Sequence, residues 1–171
     1  MLNAAPQKQT LVAILLTLAT TAGAAEMPRP EPEAPEVEAP QPAFDDWQLT
    51  CADTDCVIDT RVLASDGTEV LRIEAGGQPA VLRFVTTLGL HLPDGLTAGI
   101  GADTTREIPW LTCGPEDGCR AEVPLDADLL AAVRRERAGS ATLTLVEGVP
   151  VRLGFSLMGF SAAWRALADA P

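Results

Sequence analysis

Four cysteines fall in two close pairs, Cys51 with Cys56 and Cys113 with Cys119, and thiols at such spacing can hold a metal, exchange electrons or form disulfides. A four-cysteine zinc site usually uses a tight Cys-x2-Cys knuckle, whereas four and five residues intervene here, and His91 is the only histidine. No Cys-x-x-Cys pair is present, which argues against a redox-active dithiol. In an oxidising compartment the same cysteines read as disulfides, and of the three pairings they allow, the two local loops are the simplest. Each bridge would contribute only about 2 kcal/mol, because the loops are short.

The remaining candidates for chemistry are sparse. His91 stands alone in Leu88-Gly89-Leu90-His91-Leu92-Pro93 and takes the face opposite Leu90 and Leu92 if that run is a strand. Asp53 and Asp55 lie in one cysteine loop, Glu116 and Asp117 in the other; two acids on a tight loop fall short of the six to eight oxygens that calcium prefers. Arg134, Arg135 and Arg137 cluster behind Ala127, where they complement a helix dipole from a solvated face. The chain has no tyrosine, no Gly-x-Ser-x-Gly elbow, no His-Glu-x-x-His and no phosphate-cradling glycine loop. The expectation is a protein that is not an enzyme and needs no metal or cofactor.

The elements that would position these residues begin after an export signal. Residues 1–25 carry Lys8, an apolar run from Leu11 to Leu18 and the small residues Ala22-Gly23-Ala24, the pattern of a cleavable signal peptide. The run reaches about 15 apolar residues, short of the roughly 20 that span a bilayer. No later segment has membrane length, so no transmembrane span is expected after cleavage. Residues 26–46 are rich in proline and glutamate; fixed φ angles and like-charge repulsion predict a disordered tether, with a polyproline II docking motif as the alternative. Residues 47–171 are long enough for one folded domain. The net charge of −12, with Lys8 the only lysine, leaves no basic stripe for nucleic acid or anionic lipid.

Within 47–171 short β-type runs alternate with turn residues. Cys56–Leu63 alternates apolar and polar positions; Thr68–Ile73 and Ala80–Thr86 form a hairpin around Gly76-Gly77-Gln78-Pro79; Leu88–Leu92 and Leu96–Ile100 flank Pro93-Asp94-Gly95. Glu107–Cys113 is a further run, and Pro109 within it predicts an edge or a bulge. Asp126 caps a helix over Ala127–Arg137 with Gly139 as its stop, and strands follow at Ala141–Val146 and Val151–Leu157. A last helix, Ser161–Leu167, completes one apolar stripe of Phe160, Ala163, Trp164 and Leu167, which packs on the core or, alternatively, on a partner. The whole reads as a mainly β, antiparallel sandwich with two short helices and one aromatic corner of Trp47, Trp110, Phe155, Phe160 and Trp164.

The ending Ser156-Leu157-Met158-Gly159-Phe160-Ser161, followed by an alanine-rich helix, resembles the invasion-associated locus B family of exported alphaproteobacterial proteins. Trp47 with Cys51 and Cys56, the segment from Leu88 to Leu96, and Cys113 to Cys119 followed by a Leu-Leu-Ala-Ala helix occur in the same order. The resemblance runs from about Trp47 to Leu167 and implies an immunoglobulin-like β-sandwich with two disulfides, at the periplasm, outer membrane or cell exterior. It implies no catalytic residues; Trp47, Gly159, Phe160 and Trp164 match the family motif in a packing role. The tether and His91 depart from the family pattern. The expected function is a non-enzymatic envelope or surface module that binds an envelope or host-surface protein or glycan, linked to invasion in pathogenic relatives. The alternatives are a structural factor for envelope integrity and, from another class, a hydrolase or inhibitor with an unrecognised site.

Overall fold

In a computed structural model the protein is described over residues 42–52 and 54–171. The expected signal peptide, the tether as far as residue 41, and Asp53 lie outside the described residues. The strands are β1 (Ala43–Phe44), β2 (Trp47–Ala52), β3 (Asp55–Leu63), β4 (Glu69–Gly76), β5 (Val81–Thr86), β6 (Leu96–Ile100), β7 (Thr104–Ile108), β8 (Trp110–Gly114), β9 (Gly118–Pro124), β10 (Ala138–Thr144) and β11 (Pro150–Ser156). The helices are α1 (Ala127–Arg135) and α2 (Phe160–Ala168).

Every pairing is antiparallel. A seven-stranded sheet runs in the order β1-β2-β3-β4-β5-β9-β8, and a four-stranded sheet in the order β11-β10-β6-β7. Period-2 alternation puts Ile58, Leu71, Ile73, Leu82, Phe84 and Ala121 on the inner face of the large sheet. Leu96, Ala98, Ile100, Ala141 and Phe155 oppose them from the small sheet, and all are buried. The two layers meet where Phe84 and Phe155 pack edge-to-face at 6.1 Å. This is the β-sandwich that the periodicity predicts.

Helix α2 covers the inner face where the small sheet stops. Its Phe160 sits edge-on to Trp47 at 4.9 Å and stacks on Trp164 at 5.7 Å, while Trp47 Nε1 donates to the Ser156 carbonyl at 3.1 Å. The expected aromatic corner is therefore two clusters. Trp47, Phe160 and Trp164 form one; Phe84 and Phe155 form the other; Trp110 belongs to neither, because β8 is at the far edge of the large sheet.

Several boundaries move for identifiable reasons. Ala43 and Phe44, counted with the tether, pair with Gln48 and Trp47, so the sheet starts before Trp47. The expected run across Pro109 divides: β7 is an edge of the small sheet, β8 an edge of the large one, and Pro109 lies where the chain crosses. Leu88–Leu92 is not a strand; only Leu90 bridges Leu145, and a 3-10 turn with Pro93 in it takes over at Leu92–Asp94. Asp126 caps α1 as expected, its Oδ1 accepting from the Leu129 amide at 2.8 Å. The helix ends at Arg135, however, and Gly139 is no stop: it lies in β10, where a side chain would meet the Phe155 ring.

Candidate functional site

The outer face of the large sheet gathers most of the charged side chains of the strands. Register places Asp59, Glu74, Arg83 and Glu122 in one cross-strand row, and Arg61, Arg72, Val85 and Arg120 in the next. Asp59 opposite Glu74, and Arg61 opposite Arg72, would repel if each row stood alone. The rows neutralise each other diagonally instead. Arg61 Nε lies 3.2 Å from Asp59 and 3.5 Å from Glu69; Arg72 Nε lies 3.6 Å from Glu69 and 3.2 Å from Glu74. Arg83 reaches Glu74 at 2.9 Å and Glu122 at 2.7 Å, and Arg120 lies 3.6 Å from Glu122.

The result is an unbroken ladder in which acid and arginine alternate from Asp59 to Arg120. Asp59 is only 3% exposed and accepts further bonds from Gln48 Nε2 at 2.9 Å and Thr50 Oγ1 at 3.1 Å. Burial works against the charge on Arg83, but the hydrogen bonds from its guanidinium to Glu122 and Glu74 outweigh it and raise its pKa further. Acids and bases in this ladder neutralise one another, so it offers no unpaired base or nucleophile. It is a brace rather than a catalytic centre.

Two shallow grooves flank the ladder. One, of about 800 Å³, runs from the last turn of α2 across the ends of β3, β4 and β5, and is lined by Asp55, Val57, Val81, Trp164 and Leu167 among others. The second, of about 510 Å³, lies beside the Cys113–Cys119 hairpin and includes Glu116, Asp117 and Arg120. Neither is lined by His91.

At the loop end of the small sheet, the segment before β6 is stitched to the β10–β11 turn. His91 N–H donates to Thr144 O at 2.8 Å, Val146 N–H to Gly89 O at 2.9 Å, and Leu145 N–H to Val149 O at 2.9 Å. Leu88, Leu92, Val146 and Val149 project there, each about half exposed or more. His91 Nδ1 pairs with Asp94 Oδ1 at 3.0 Å on an open surface. A histidine–carboxylate pair can orient a proton, but no nucleophile or enclosing pocket accompanies it among the described residues.

The cysteines pair locally, Cys51 with Cys56 and Cys113 with Cys119, and each pair joins residues directly opposite in an antiparallel hairpin. Asp55 and the pair Glu116 and Asp117 fall into different grooves, and no group of three or more metal-binding side chains occurs among the described residues. No helix among them is long and apolar enough to cross a membrane. Trp47, Phe160 and Trp164 form the packed cluster described above, and Gly159 starts α2. Sequence reading missed the ladder, although charge at every second position in Asp59/Arg61, Arg72/Glu74 and Arg120/Glu122 was its visible trace.

Fold and site together define a disulfide-pinned antiparallel sandwich with a self-neutralised outer face and exposed aliphatic loops. The model of the invasion associated locus B (IalB) family matches residues 47–168, and the chain belongs to that family. The crystal structure of an invasion associated protein B from Bartonella henselae has the same fold, with a TM-score of 0.69 at 17% identity, covering 77% of this chain and 97% of that one. No curated protein matches the sequence.

Proposed function

We propose that the protein is an exported, non-enzymatic binding module of the cell envelope or surface, and that its partner is an envelope or host-surface protein or glycan. The observation that carries this reading is the loop end of the small sheet. Leu88, Leu92, Val146 and Val149 are 47–62% exposed there, on segments held by backbone hydrogen bonds. Aliphatic side chains gathered on neighbouring segments of a rigid scaffold form a patch of the kind that a partner covers, unlike singly scattered ones. Family membership and the leader-like amino terminus support export. The solved relative is described as invasion associated, and contact with a host surface is the corresponding role here.

Crosslinking on intact cells, followed by recovery of the full chain, tests the reading. The wild type should capture one partner reproducibly, and replacing Leu88 and Val146 by Ser should abolish capture while unfolding is unchanged. Capture that is indifferent to both replacements would remove the loop end as the binding surface.

A further inference from the structure

We infer that the groove between α2 and the ends of β3 and β5 is a docking site for an extended segment of a partner protein, one that carries a lysine or arginine between apolar residues. The inference rests on the binding role proposed above and adds a second, chemically distinct surface to it. The apolar part of the groove is formed by Val57, Val81, Trp164 and Leu167, all partly exposed. Trp164 stacks on Phe160 with ring centroids 5.7 Å apart, which favours one orientation of its ring.

The sign of the groove selects a cation. Helix α2 ends here, with Ala168 and Ala170 in the lining, and the last carbonyls of a helix carry its negative end. Asp55, in the lining across the groove, is exposed. Its carboxylate has no side-chain hydrogen bond or ion pair among the described residues. Arg83 is the one cation among the described residues of the lining, and it is already neutralised by Glu74 and Glu122. An incoming ammonium or guanidinium would thus meet the free Asp55 carboxylate, a helix C-terminus and an aromatic face, while its neighbours cover Val57, Val81 and Leu167.

Calorimetric titration of the full secreted chain with acetyl-Ala-Pro-Arg-Pro-Leu-amide, against the same peptide with Glu in place of Arg, tests this. The arginine peptide should bind saturably and the glutamate peptide about tenfold more weakly or not at all. Asp55→Asn, at an exposed position that leaves folding intact, should lower affinity about threefold, and Trp164→Leu about tenfold. Equal binding of the two peptides, saturation by neither, or insensitivity to Asp55→Asn would overturn the assignment. So would phosphocholine binding more tightly than the arginine peptide, which would make the site one for a small quaternary cation. If cell crosslinking survives Asp55→Asn but is lost with the Leu88 and Val146 replacements, the groove fails and the loop-end reading stands. Peptide binding without any crosslinked partner gives the reverse.

Discussion

Gly159 shows how one residue fixes the meeting of two elements. It starts α2 at φ +89°, and a side chain there would run into the Phe44 carbonyl of β1. Gly159→Ala should therefore cost at least about 2 kcal/mol in denaturant unfolding, since it adds a steric clash to the penalty of the left-handed backbone. Gly148, at φ +79° with nothing within 4 Å, isolates the backbone penalty alone. Its replacement by Ala should cost about 1 kcal/mol. Asp66 makes a different kind of statement. The Thr68 amide donates to its Oδ1 at 2.9 Å, and the hydrogen bonds from Thr68 hold its pKa below the ordinary value. A lowered pKa stabilises the fold fully above about pH 4, and that contribution disappears as pH falls through the folded-state value. The Asp66→Asn variant should lose this part of the acid dependence, read as a flatter plot of unfolding midpoint against pH; an unchanged slope would contradict the assignment.

Hairpins and sheet rows carry the next level of organisation. The Cys51–Cys56 bridge closes a short loop inside a hairpin whose strands are already paired, so replacing both cysteines by Ala should cost only about 2 kcal/mol and leave the fold intact, as judged by circular dichroism and thermal unfolding. The ladder behaves otherwise, because its members span four strands. Arg83→Met keeps the volume but leaves Glu74 and Glu122 without their shared cation. A loss of about 1–2 kcal/mol is expected, between the values for exposed and buried pairs, since the Arg83 side chain is 29% exposed. The local parts of these elements were legible in sequence: the Asp126 cap, the alternation of β3 and the turn at Gly76-Gly77 each depend on residues within a few positions of one another. Leu88–Leu92 was misread for the same reason. Its alternation suggests a strand, but the backbone at Gly89 and Pro93 leaves only one bridge to Leu145.

For the whole molecule, the first requirement is passage into an oxidising compartment, where both bridges form. Material purified from the envelope or the medium should begin near Glu26 and show no free thiol; a start at Met1 with four titratable thiols would overturn the proposed export. The second requirement is closure of the sandwich. Trp47, Phe160 and Trp164 join β2 to the carboxyl-terminal helix more than a hundred residues later, and the Trp47 indole ties that joint to β11 through the Ser156 carbonyl. The inner faces were visible as periodicity, yet which aromatic met which was not, and the single expected corner became two. The sequence by itself determined the β character, the disulfide-friendly spacing, the helix cap and the absence of familiar catalytic motifs, because short-range geometry and composition govern each of these. Only the tertiary structure decided the ion ladder, the division at Pro109 and the groove beside Trp164. Those depend on strand order and register, which bring together side chains tens of residues apart and turn separately ordinary charges into one cooperative surface.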